Sequence, residues 1–140
     1  MNIGYFFFLL APVLGYLQVM KTKTPRVVLL VDDEESFFDL YAWHLEKQEL
    51  LTFLRAQSGH EAFKVVENQK VDVVISDINM PNGDGFWLLD KLTKNYQHIP
   101  VIIASGNCLY EKNDLVKLGA RDFVPKLEMH RLEASFSRLL

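Results

Sequence analysis

The residues best equipped for chemistry in this sequence are Asp32-Asp33, Asp77, Ser105 and Lys126. Each follows a short apolar run, so three carboxylates, a hydroxyl and an ammonium leave the chain at equivalent places. Carboxylates drawn into one crevice repel one another and raise at least one pKa unless a cation neutralises them. A hard divalent ion, Mg2+ or Mn2+, is the natural occupant. Such ions take oxygen ligands and Mg2+ keeps several waters, so two or three carboxylates and a backbone carbonyl suffice. A divalent ion, a lysine and a hydroxyl around a carboxylate is also the set that phosphoryl transfer requires, because that reaction is catalysed by positioning and by neutralising charge on the phosphoryl oxygens. One of the carboxylates could itself be the nucleophile.

Taken singly, the same residues have plainer uses. Asp32 and Asp33 can cap the helix that begins near Glu34, Glu35 and Ser36. The block after Asp77 holds Pro81, Asn82, Gly83 and Gly85, all turn formers. Ser105 alone reads as a cap and Lys126 as a solvated lysine. The combination carries the chemistry, because a turn does not require an aspartate directly after Ile75-Ser76 with matching polar residues at the other run ends.

The elements that must position these groups are legible in the hydrophobic period. Residues 27–31, 71–75 and 101–104 are β-branched apolar runs, as expected of strands buried on both faces of a parallel sheet. Residues 51–56 are more mixed and 121–124 short, as edge strands would be. Between them lie helical spacings: Phe37, Leu40, Tyr41 and Leu45; Ala62, Phe63 and Val66; Leu88, Leu89, Leu92 and Tyr96; Leu115 and Leu118, ending at Gly119; and Leu132, Phe136, Leu139 and Leu140. Five strands alternating with five helices across short loops predict an α/β domain with a doubly wound, five-stranded parallel sheet. In such folds ligands sit at the carboxyl ends of the strands, where the five residues lie.

With 140 residues, 49% of them hydrophobic, 24% charged and a net charge of -3, the chain fits one domain with one core and is not of disordered composition. Eighteen acidic against 15 basic residues give no broad footprint for nucleic acid, so direct nucleic-acid binding is not expected. The lone Cys108 and the scattered His44, His60, His98 and His130 offer neither an internal disulfide nor a structural zinc pattern. Residues 1–20 contain no Asp, Glu, Lys or Arg, and Lys21, Lys23 and Arg26 follow at once. This divides the chain into 1–25, an apolar segment with a basic linker, and 26–140, the domain. As a helix, residues 3–20 would reach about 27 Å, just short of a bilayer core of roughly 30 Å. They are expected either to tether a cytoplasmic domain to the inner membrane face or to be upstream sequence absent from a working protein that begins at Met20. Membrane contact depends on the first of these.

Together the residues resemble a known family. Asp32-Asp33-Glu34 after an apolar run, the block from Asp77 through Ile78-Asn79-Met80-Pro81-Asn82-Gly83-Asp84 to Gly85, then Ser105-Gly106, then Gly119-Ala120 leading to Phe123 and Lys126, are similar to the CheY-like response-regulator receiver domain of bacterial two-component signalling. The resemblance covers about residues 26–140. It implies a flavodoxin-like three-layer sandwich with strand order 2-1-3-4-5. It implies that Asp77 accepts phosphate, and that Asp32, Asp33, the Asp77 carboxylate and the Asn79 carbonyl hold Mg2+. Ser105 and Lys126 would contact phosphoryl oxygens, and Ser105 and Phe123 would act as the switch. The implied partners are a histidine kinase or phosphotransfer protein, and a target protein bound through the face of the fourth helix, fifth strand and fifth helix. Activity beyond self-phosphorylation and self-dephosphorylation is not implied.

The sequence departs from the family at one point. Members usually follow the lysine with a cis proline, whereas here Pro125 precedes Lys126 and Leu127 follows it. A cis Lys126-Leu127 bond would cost about 2.5 to 4 kcal/mol, so a trans bond is expected and the aim of Lys126 is left open. The alternative function is then a degenerate receiver that docks a partner constitutively. A phosphohydrolase is less favoured, because Asn79 replaces the second acid of an Asp-x-Asp arrangement. A nucleotide carrier lacks its glycine-rich loop.

Overall fold

The computed structural model of the protein describes Pro12 and residues 24–48, 50–106 and 109–139. The expectations for the apolar segment 3–20, Pro12 apart, and for Cys108 lie outside these residues. Among the described residues no helix is long and apolar enough to cross a membrane.

Five strands, β1 (Arg26–Val31), β2 (Leu51–Ala56), β3 (Val73–Ser76), β4 (Val101–Ser105) and β5 (Asp122–Pro125), form one parallel sheet in the order β2-β1-β3-β4-β5. The helices are α1 (Ser36–Leu45), α2 (Gly59–Asn68), α3 (Gly85–Asn95), α4 (Lys112–Lys117) and α5 (Leu132–Ser137), the last preceded by a 3-10 segment over Lys126–Arg131. Alternate residues of a strand point to opposite faces, and β1 shows the result. Leu29 and Val31 join Ala62 and Val66 of α2, Leu88, Leu89 and Leu92 of α3 and Leu115 of α4 in one core layer. Val28 and Leu30 join Phe38, Tyr41 and Leu45 of α1 with Leu132 and Phe136 of α5 in the other. The expected three-layer sandwich and strand order are both present.

Several boundaries move. The third strand begins at Val73, because Asp72 turns its carboxylate back to accept the Val27 amide (2.7 Å), leaving Val71 buried but outside the ladder. Leu118 does not join the buried face of α4. The helix stops at Lys117, the chain turns through Gly119 at φ 111°, and Leu118 is 54% exposed. The terminal segment is a 3-10 turn broken at Glu128 (φ -117°, ψ 36°) before α5, rather than one continuous helix.

A charge cluster that the apolar pattern conceals ties the last three elements together. Asp122, at the start of β5, is buried and accepts from Lys112 of α4 (2.8 Å) and from Ser135 (2.6 Å) and Arg138 (2.5 Å) at the chain's end. Burial alone would raise its carboxyl. Lys112, Ser135, the Phe123 amide and Arg138 together outweigh that and hold it well below the usual aspartate range. The stabilisation is therefore complete above the unfolded value of about 3.9 and is lost as pH falls through the depressed folded value. Lys112 and Arg138 are half or more exposed, so solvent screens both pairs. Asp122→Asn is accordingly expected to cost about 2 kcal/mol at neutral pH rather than the larger penalty of a dry ion pair. Urea unfolding of both proteins checks this, and the gap between them should narrow steadily below about pH 4.

Candidate functional site

Strand register assembles the site. Val31 of β1 pairs with Ser76 of β3, and the Asp77 amide donates to the Val31 carbonyl (2.9 Å), so the next residues, Asp32 and Asp77, leave neighbouring strands side by side. Ser105 of β4 pairs with Pro125 of β5, which places Lys126 one step beyond. Asp32 and Asp77 are buried and Asp33 is exposed, and one carboxylate oxygen from each lies within 4.8 Å of the others.

The Lys126 ammonium closes the cluster, lying 2.8 Å from Asp32 Oδ2 and 3.0 Å from Asp77 Oδ2, with only 9% of its side chain exposed. The departure after the lysine therefore does not turn it away. No cis peptide bond occurs among the described residues, and Leu127 simply lies on the surface, 90% exposed. Burial works to lower the Lys126 pKa, but Asp32 and Asp77 prevail and raise it, so the ammonium stays charged. Burial raises the Asp77 carboxyl and the Asp32 charge adds to this, against the opposing pull of Lys126 and the Ile78 amide.

Asp32 has a full set of partners. Its Oδ1 accepts the Glu34 amide (3.0 Å), which closes a turn ahead of α1 and is not the helix cap expected from the sequence, since α1 starts after Glu35 with no side-chain cap; its Oδ2 accepts the Tyr41 hydroxyl (2.7 Å) as well as Lys126. Burial, then the Asp32 charge, push the Tyr41 hydroxyl upward, so it remains protonated and donates. Asp77 Oδ1 accepts the Ile78 amide (2.7 Å). The turn behind Asp77 is fixed by Asp84, which caps α3 through the Trp87 amide (2.8 Å), and by the Gly85 amide donating to the Ile78 carbonyl (2.8 Å).

Of the other expected site residues, Ser105 is buried at the end of β4 and Asn79 is exposed two residues beyond Asp77. Phe123 is not at the carboxylates. It is turned into the core, in the same layer as Leu115 and Ala120, and is 8% exposed. Sequence reasoning took Phe37 and Tyr41 only for the apolar face of α1, yet both reach the site, with Lys126 Nζ standing 3.6 Å from the centre of the Phe37 ring. The available signal was a tyrosine on an inward face, since a buried hydroxyl needs a partner and Asp32 is the nearby acceptor.

Three carboxylates face one ammonium here, an excess of two negative charges, and all three offer oxygen. With exposed Asp33 at the mouth, this donor set fits a hard divalent ion such as Mg2+.

The chain is similar in sequence and fold to known proteins. The pattern described as the response regulator receiver domain matches residues 28–136. Response regulator GtcR of Aneurinibacillus migulanus is 34% identical over 101 residues, 72% of this chain and 41% of that protein. Heme response regulator HssR of Staphylococcus epidermidis is 35% identical over 99 residues, 70% of this chain and 43% of that protein. The chain thus spans less than half the length of these curated relatives. Among solved structures, the chemotaxis response regulator CheY4 of Vibrio cholerae superposes with a TM-score of 0.72 at 26% identity, covering 84% of this chain and all of that one. Response regulator TrrA of Thermotoga maritima, solved with Mg2+-BeF, superposes with a TM-score of 0.73 at 27% identity, covering 82% of this chain and 99% of the other.

Proposed function

We propose that this chain, which belongs to the response regulator receiver domain family, accepts a phosphoryl group on Asp77 from a histidine kinase or phosphotransfer protein and passes the signal on through protein contacts. The observation that carries this reading is the bridge from Lys126 to Asp32 and Asp77, which sets a charged ammonium beside a buried carboxylate in an otherwise anionic pocket.

In the proposed step an Asp77 carboxylate oxygen forms a bond to phosphorus while the donor's phosphorus–nitrogen or phosphorus–oxygen bond breaks. The bonding pair leaves with the donor, and an acyl phosphate remains. Asp32, Asp33, the Asp77 carboxylate and the Asn79 carbonyl would hold Mg2+, which supplies neutralisation of phosphoryl charge. Lys126, already aimed at the Asp77 carboxylate, pairs with a phosphoryl oxygen as negative charge accumulates, and the Ser105 hydroxyl donates to another. The new charge biases a two-state change in which Ser105 and the packing of Phe123 take part. Phe123 has no hydroxyl, so its contribution is one of packing. The readout surface is the face of α4, β5 and α5, where Val116 and Leu118 are 43% and 54% exposed and the Asp122 cluster links all three elements. A target protein would dock there, and the domain works on the cytoplasmic side.

Acetyl phosphate labelling of the full chain, followed by intact mass, tests the reading. The expected product is an alkali-labile adduct of about 80 Da, one phosphoryl group, that forms with Mg2+ and not with EDTA. A folded protein that forms no adduct in excess Mg2+ would instead be a constitutive docking module.

A further inference from the structure

We infer that Phe37 and Tyr41 form an aromatic clamp on α1 that positions Lys126, a device built by this chain's own side chains on the proposed phosphoacceptor site. The inference rests on that reading for its functional meaning and on geometry alone for its content.

The segment carrying Lys126 does little to hold it. Lys126 opens a 3-10 stretch that breaks at Glu128, and the next residue, Leu127, is 90% exposed and packs on almost nothing. A lysine stem has several rotatable bonds, so without side-chain restraint its ammonium samples solvent. In the structure it is nonetheless buried, and its restraints come from the opposite side of the site. The Phe37 ring presents its face to Lys126 Nζ at 3.6 Å from the centroid, inside the range of a strong cation–π contact. Asp32 takes the same ammonium at 2.8 Å, and the Tyr41 hydroxyl fixes the Asp32 oxygen that does so (2.7 Å). Phe37 and Tyr41 are one helical turn apart, with ring centres 6.0 Å from each other, so one face of α1 supplies both contacts. Phe37 acts on the ammonium directly and Tyr41 through Asp32. Both are positioning residues, leaving the bond-making atoms to Asp77.

The test reads the lysine first. Trace acetylation of the full-length, Mg2+-free protein with acetic anhydride, with peptide mass mapping, gives the reactivity of Lys126 relative to exposed Lys64 in the same molecule. Phe37→Leu keeps an apolar side chain of similar bulk and removes the ring face. It is expected to raise Lys126 reactivity about tenfold, whereas Phe37→Tyr, which restores a ring, should return it to within about twofold. Tyr41→Phe, which keeps the ring and drops the hydroxyl, should raise it by a smaller factor. Acetyl phosphate labelling should slow in the same order. Circular dichroism establishes folding, and Phe37→Met takes the place of Phe37→Leu if the leucine variant does not fold. Unchanged Lys126 reactivity in a folded ring-less variant, or reactivity that the tyrosine does not restore, overturns the clamp. If the unaltered protein forms no phosphoryl adduct, the functional reading falls and the lysine reactivities still decide the clamp.

Discussion

Asp77→Asn is expected to abolish the phosphoryl adduct completely while raising the unfolding midpoint of the protein in metal-free buffer. The loss follows because the amide has no carboxylate oxygen with which to form the acyl phosphate. The gain follows from the environment. Asp77 is buried, its carboxyl is raised by burial and by the neighbouring Asp32 charge, and such a group costs folding free energy whenever it is ionised. The sign is that of a carboxyl whose folded pKa lies above its unfolded value: the cost is present at neutral pH and vanishes below the unfolded value of about 3.9. Lys126 is not orphaned by the change, because Asp32 still accepts it at 2.8 Å. Thermal unfolding with EDTA and labelling with Mg2+ measure the two halves of the prediction. A lower midpoint would mean that the Lys126–Asp77 contact outweighs the cost of the buried charge.

Gly85→Ala is expected to be the most disruptive single-methyl change in the site, lowering stability by about 3 kcal/mol and greatly slowing adduct formation. A Cβ at Gly85 would fall inside van der Waals contact of the Asp77 carbonyl oxygen and 2.8 Å from the Ile78 Cα, both of them backbone atoms that cannot swing aside. Relief requires moving the peptide that holds Asp77 or withdrawing α3, whose buried Leu88, Leu89 and Leu92 fasten it to the sheet. Gly106→Ala is the contrasting case, since the nearest atom its methyl would meet is Lys126 Cδ at 4.0 Å, an ordinary contact. Urea unfolding midpoints and initial labelling rates of the two variants, compared side by side, check the difference.

The central strands were readable from sequence because both their faces are buried, so that continuous apolar runs such as Val28 to Val31 follow directly from the architecture. The site was readable for the same topological reason: polar residues that leave such runs at the carboxyl edge of a doubly wound sheet must converge. What pattern could not show was side-chain reach. Period identifies Tyr41 as inward-facing, but only the fold shows that its hydroxyl meets Asp32, and only the fold shows the Phe37 ring over Lys126. Leu118 illustrates the opposite failure. Its spacing from Leu115 suits a buried face, yet α4 ends one residue earlier and the turn at Gly119 leaves it outside. Asp122 lay hidden because its partners, Lys112, Ser135 and Arg138, are far from it in sequence and individually ordinary.

The placement of Lys126 just past β5, an edge strand paired only with β4, bears on how the molecule is made. Chains emerge from the ribosome from the N-terminus, and structure accumulates in that order. β1 and β3 are neighbours, so Asp32 and Asp77 can meet while the segment bearing the lysine is still being translated. For that interval the nascent domain holds these carboxylates without the ammonium that pairs with Asp32 and Asp77 in the finished fold. The ammonium follows the carboxylates in that order, and the docking of β5 that completes the sheet also brings in the one charge that offsets part of theirs.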